Sequence, residues 1–121
     1  MSVVVLDTNA LLFPFQFKVS IEEKIIDLIG GCKILVPSVV NYELKLLAAR
    51  GVGGAAAAIR YAERFEILDC DPDLSGDTAI LEASMKVNGI LVTSDRGLIA
   101  RAKEAGLKVI FLRGKQKLEL K

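Results

Sequence analysis

Apolar and polar positions fall in blocks along this chain. Short runs of β-branched residues stop abruptly at small polar or acidic ones, and longer stretches follow in which apolar positions recur every three to four residues. The runs read as strands buried on both faces and the stretches as amphipathic helices. Val3 to Leu6 is the first such run, closing at Asp7-Thr8-Asn9. Leu11 to Phe17, apolar and aromatic with Pro14 inside it, reads as a short helix and loop covering the site, as an interface element, or as packing over the sheet edge. Ser20-x-x-Glu23 is a capping box, with Ile21, Ile25, Leu28 and Ile29 on helical spacing until Gly30-Gly31. Cys32 to Val36 is a second strand, and Pro37-Ser38 a turn with Ser38 as N-cap of a helix from about Val39 to Ala49.

The second half repeats the alternation. Gly51-Val-Gly-Gly54 breaks the chain, and Ala55 to Arg64 is an alanine-rich helix completing an αα-hairpin. Phe65 to Asp69 is a third strand, followed by an acidic turn at Asp71-Pro-Asp73. Ser75-Gly-Asp77 opens a helix that buries Ala79, Ile80, Ala83 and Val87 and closes at Gly89. Ile90 to Thr93 is a fourth strand leading into Ser94-Asp95; Arg96 to Ala105 is a helix stopped by Gly106, and Lys108 to Leu112 a fifth strand. Arg113 to Lys121 reads as a basic tail that contacts phosphate or, by default, solubilises the terminus. Strands alternating with helices predict a three-layer α/β/α sandwich on a mostly parallel sheet of about five strands, one domain over residues 1–121.

Composition narrows the chemistry more than the fold. A net charge of +1 gives no broad field, so nucleic-acid affinity must come from local clusters of Lys and Arg. Because the chain has no histidine, Ser-His and Cys-His nucleophilic schemes are out, and catalysis must run on carboxylates, hydroxyls or amines. Cys32 and Cys70 alone cannot complete a four-ligand zinc site and read as small core or strand-end residues. No apolar run reaches the length of a membrane span and Met1-Ser2-Val3 opens straight into a strand, so a cytoplasmic protein with no membrane partner is expected. A mean hydropathy of +0.43 is high for a small soluble monomer and points to a homo-oligomer.

Four carboxylates stand at related places in the pattern. Asp7 and Asp95 each follow a strand end; ligands of open α/β sheets bind there, at the point where strand order reverses. If the first and fourth strands are neighbours, Asp7 and Asp95 face one another, with Glu43 reaching in from the helix after strand two and Asp77 from the helix before strand four. Three of them have an ordinary alternative: a turn or cap for Asp7, an ion pair with Lys45 or Arg50 for Glu43, a helix-dipole partner for Asp77. Together, lacking matching cations, they would repel unless a divalent cation sat between them. All-oxygen ligands select Mg²⁺ or Mn²⁺, whose chemistry on a phosphate is phosphodiester hydrolysis. Thr8, Asn9, Thr93 and Ser94 are placed to hydrogen-bond the carboxylates or a substrate phosphate, and Arg96 to meet a phosphate at a helix N-terminus or to pair with Glu43 or Asp77.

The ordered set D-T-N at Asp7 to Asn9, P-S-V-V-N-Y-E-L at Pro37 to Leu44, G-D-T-A-I-L-E-A at Gly76 to Ala83 and L-V-T-S-D at Leu91 to Asp95 resembles the PIN domain family over essentially the whole chain. The closing K-V-I-F-L-R-G-K-Q-K-L-E-L is similar to archaeal PIN proteins near the VapC-type and ribosomal-RNA-processing branches. The resemblance implies a Mg²⁺- or Mn²⁺-dependent ribonuclease acting on single-stranded or structured RNA, with Asp7, Glu43, Asp77 and Asp95 as catalytic, metal-binding residues; Asp73 and Glu82 are the alternatives to Asp77. It also implies use as a toxin or an RNA-maturation nuclease, with an antitoxin protein or a ribosome-assembly factor as partner. A dehalogenase-type hydrolase needs a second Asp where Asn9 stands. A non-catalytic RNA-binding or protein-interaction PIN module would lack part of the acidic set, and here all four positions are filled.

Overall fold

The computed structural model describes residues 1–114 and 117–121. In chain order its elements are β1 (Ser2–Leu6), α1 (Thr8–Phe17), α2 (Ile21–Ile29), β2 (Cys32–Pro37), α3 (Ser38–Ala49), α4 (Ala55–Ala62), β3 (Glu66–Leu68), α5 (Gly76–Lys86), β4 (Ile90–Thr93), α6 (Arg96–Glu104), β5 (Val109–Arg113) and β6 (Lys117–Leu120). The sheet order is β3-β2-β1-β4-β5-β6, parallel throughout except for antiparallel β6. Chain order therefore reverses between β1 and β4. The helices α1 to α4 pack together on one face and α5 with α6 on the other, the layered arrangement that right-handed crossovers produce from this order.

β1 is central for the reason its sequence suggests: Val4, Val5 and Leu6 are fully buried, as are Val36 of β2 and Leu91 and Val92 of β4 beside it. β-branched residues suit a strand covered on both faces, where stiff side chains pack against both helix layers. No helix among the described residues is long and apolar enough to cross a membrane.

The stretch after Arg113 departs from the expected tail. Lys117–Leu120 pairs with β5, Leu112 opposite Leu118 and Ile110 opposite Leu120, making a sixth strand. Alternation of Leu118 and Leu120 with charged residues suits an edge strand half exposed to water; Lys115 and Gln116 lie outside the described residues.

Three local signals resolve differently from their first reading. Ser38 does not cap α3; its Oγ accepts from the Cys70 N–H at 3.0 Å, tying the start of α3 to the chain beyond β3. The segment with Pro14 is helical from Thr8 to Phe17, because Asp7 supplies a strong N-cap and the proline costs only the donor to the Ala10 carbonyl. At the end of α5 the left-handed residue is Asn88, with φ of 50°, and Gly89 serves a packing need instead. A Cβ on Gly89 would lie 2.8 Å from Cγ2 of Val5 and 3.3 Å from Cγ2 of Val87.

Gly89→Ala is therefore expected to destabilise the fold by about 1–3 kcal/mol, since Val5 is fully buried and cannot rotate away. A urea midpoint unchanged from the parent chain would refute this account of Gly89.

Candidate active site

The switch point between β1 and β4 carries an aspartate at the end of each strand, and both are held the same way. Asp7 is the N-cap of α1, its Oδ1 accepting from the Ala10 N–H at 2.8 Å. Asp95 is the N-cap of α6, its Oδ1 accepting from the Leu98 N–H at 3.1 Å. Each carboxylate thus sits at the positive end of a helix. Thr93, wholly buried at the end of β4, links them: its Oγ1 accepts from the Asp95 N–H at 3.0 Å and its hydroxyl donates to the Asp7 carboxylate. The Asp7 N–H continues the β1–β4 ladder to the Val92 carbonyl at 3.3 Å.

Glu43, on the exposed side of α3, is joined to this pair through Thr8. The Thr8 hydroxyl donates to Glu43 Oε2 at 3.0 Å, so Glu43 is held toward α1 and not toward Lys45 or Arg50. Asp77 in the first turn of α5 is close enough for its charge to act on Asp7. Neither alternative to Asp77 does so: Asp73 closes a turn by donating its N–H to Asp71, and Glu82 lies against Lys86 at 3.1 Å.

The Asp7 carboxyl is only 3% exposed, and its pKa is raised from 3.8 to about 7. Burial is the largest cause; the hydrogen bonds from Thr93 and Ala10 oppose it, and the charges of Asp77 and Asp95 add to it. Among the described residues no basic side chain contributes to holding the charge on Asp7. A positive charge placed beside Asp7 would favour its ionised form.

Among the described residues no three His, Cys, Asp or Glu side chains are drawn into one coordination sphere. The donor set still fits a hard divalent ion. It is all oxygen, Asp77 and Asp95 act on the buried Asp7 carboxylate, and Mg²⁺ retains water ligands and needs one or two carboxylates directly.

Asn9, Ser94 and Arg96 do not bond to the carboxylates. They line an adjoining cavity of about 350 Å³ together with Gln16 of α1 and Phe111 of β5. The Arg96 guanidinium lies over the Phe111 ring, 5.7 Å from its centroid, and makes no ion pair with Glu43 or Asp77 among the described residues. Gln16 and Phe111 escaped the sequence reading. Gln16 was in reach, because it follows Asn9 by two helical turns, but only if the whole segment through Pro14 is taken as helix.

A family model described as a PIN like domain matches residues 4–115. Ribonuclease VapC9 of Archaeoglobus fulgidus is 31% identical over 113 residues, covering 90% of this chain and 82% of the relative. Among solved structures, the PIN domain endonuclease Utp24 superposes with a TM-score of 0.82 at 25% identity, covering 98% of this chain and 90% of that one. A domain of a functionally unknown protein from Methanocaldococcus jannaschii, 20% identical, superposes with a TM-score of 0.71 over 97% of this chain and 95% of its own, which bears on the fold alone.

Asp7 also makes a prediction about stability. Between pH 3.8 and about 7 the folded protein keeps a proton on Asp7 that the unfolded chain has released, so stability falls as pH rises through that window. Below it the penalty is absent, and above it complete. Asn preserves both the N-cap and an acceptor for Thr93 without the charge. Asp7→Asn is expected to be more stable than the parent at pH 8 in metal-free buffer, by at most on the order of 4 kcal/mol, with the gain vanishing near pH 4. Calorimetric melting across that range checks it, and a variant less stable at pH 8 would contradict the assignment of Asp7 as a strained anion.

Proposed function

The chain belongs to the PIN-like domain family, and on that premise we propose that it is a divalent-metal-dependent endoribonuclease hydrolysing phosphodiester bonds of RNA. The observation that carries this reading is the buried Asp7 carboxylate, raised to about 7 by burial and by Asp77 and Asp95, at the carboxyl rim where strand order reverses. The likeness to Ribonuclease VapC9 and to the endonuclease Utp24 supports it.

Asp7, Asp77, Asp95 and Glu43 are the residues that would hold Mg²⁺ or Mn²⁺. When bound, the ion supplies countercharge to the phosphate and makes water a better nucleophile at neutral pH. The chain's own contribution is positioning. Thr93 fixes the Asp7 carboxylate relative to the Asp95 backbone, and the two N-caps hold both against their mutual repulsion. Thr8 orients Glu43 from the first turn of α1. Arg96, braced on Phe111, offers a guanidinium to phosphate oxygens beside Asp95. RNA is the substrate on this reading, in either a toxin or an RNA-maturation role with the corresponding protein partner. A second copy as partner is supported by Tyr42 and Leu46, exposed one turn apart on α3, and Ile67, exposed on edge strand β3.

Purified protein is expected to cut labelled single-stranded RNA with Mg²⁺ or Mn²⁺ and not with EDTA. Asp7→Asn should lower the rate by at least about 100-fold and Thr93→Val by about 10- to 100-fold, the range for groups that orient metal ligands. Mn²⁺ titration calorimetry should show binding to the parent chain and its loss in Asp7→Asn. Absence of both cutting and Mn²⁺ binding in the parent would overturn this reading in favour of a non-catalytic RNA-binding or protein-interaction module.

A further inference from the structure

Beside the acidic rim lies a second, chemically different feature, the cavity of about 350 Å³ between α1, the β4–α6 turn and the end of β5. It has no acidic side chain among its described lining residues. Its polar groups are the amides of Asn9 and Gln16, the Ser94 hydroxyl and the Arg96 guanidinium, and none of the four side chains makes a hydrogen bond with another described residue. Asn9 and Gln16 stand seven residues apart on α1, so both point the same way. Half-buried Phe17, held edge-on against Phe13 at 5.0 Å between centroids, gives the cavity an aromatic wall.

Each group has a natural counterpart in one ligand. A primary amide presents a donor and an acceptor side by side, as does the edge of a nucleobase. An aromatic wall suits the base's flat face. The volume lies at the low end of small-ligand sites, which run from about 300 to 1,000 Å³, and suits one heterocycle. Arg96 joins the two regions, because it follows Asp95 directly and its guanidinium lies at the cavity over Phe111.

We infer that this cavity is a nucleotide subsite: it receives the base next to the cleaved phosphate, Gln16 and Asn9 read that base's edge, and Arg96 holds the phosphate between base and carboxylates. The inference rests on the ribonuclease reading and adds to it a base preference at one position beside the cut. Gln16 is a specificity residue in this scheme and takes no part in the acidic rim.

The experiment uses the full chain and an eight-nucleotide labelled RNA with a mapped cut, in which single nucleotides are replaced in turn by an abasic ribonucleotide. One position beside the cut is expected to be sensitive, its abasic form lowering kcat/KM by about tenfold, with small effects elsewhere. In Gln16→Ala, an exposed substitution whose folding is checked by melting, that penalty should fall to within about twofold while the penalties at other positions stay as they were. Uniform sensitivity along the strand, or a penalty unchanged in Gln16→Ala, overturns the subsite. Should the parent chain cut no RNA, the nuclease reading has failed separately. Anisotropy with the same octamers and metal-free Asp7→Asn protein then decides the subsite, through the presence or absence of the same Gln16-dependent abasic penalty.

Discussion

The rest of the site depends on a carboxylate kept where a charge is costly. Asp7 stands at the end of a strand whose last three residues are fully buried, with Asp77 and Asp95 acting on it and no basic side chain among the described residues offsetting them. The fold does not relieve this by moving Asp7 outward. It fixes the group by the Ala10 N–H, the Thr93 hydroxyl and a ladder bond to Val92. A purely structural residue held this way would be replaceable by Asn at a gain in stability, so the position makes physical sense as a receptor for positive charge. Thr93 matters for the same reason, since one hydroxyl both accepts from the Asp95 backbone and donates to Asp7.

Much of this was legible in the sequence, for identifiable reasons. Blocks of β-branched residues alternating with helical spacing define a parallel sheet, and Val3–Leu6 and Ile90–Thr93 gave both strands of the switch point. Asp7 and Asp95 were readable because an acidic residue within two positions of the end of a buried strand lies on the carboxyl rim. Asp77 and Glu43 depended on topology, and the placing of β1 between β2 and β4 is a property of sheet order rather than of any local pattern. The pairing of Glu43 with Thr8 in place of a neighbouring cation spans 35 residues, beyond the reach of helix-spacing rules.

Where the reading fell short, nonlocal packing was again the cause. Lys117–Leu120 is too short and too charged to declare itself a strand, and becomes one because β5 offers an unpaired edge. Ser38 has the chemistry of an N-cap, yet the chain returning at Cys70 claims its hydroxyl. Gly89 looked like a helix terminator, while the left-handed turn falls on Asn88 and the glycine's lack of a Cβ makes room for Val5 of β1.

The carboxyl rim is divided in a way that bears on how a strand of RNA could lie across it. Asp77 acts on Asp7 from α5 and Glu43 is held to Thr8 from α3, whereas Asn9, Gln16 and Arg96 open toward the end of β5. One side is acidic and suited to a cation, the other neutral to basic and suited to a nucleotide. Arg96 and Lys121 both lie over the Phe111 ring, at 5.7 and 5.2 Å, so positive charge gathers at the outer margin of the neutral side. A polyanion is drawn toward those cations and repelled by the bare carboxylates, and this asymmetry sets its direction of approach before any metal is bound. Since net charge is only +1, local separation of charge, and not a general attraction to nucleic acid, must provide the orientation. The acidic half and the neutral-to-basic half of the rim thus meet at Asp95 and Arg96, which are consecutive in sequence.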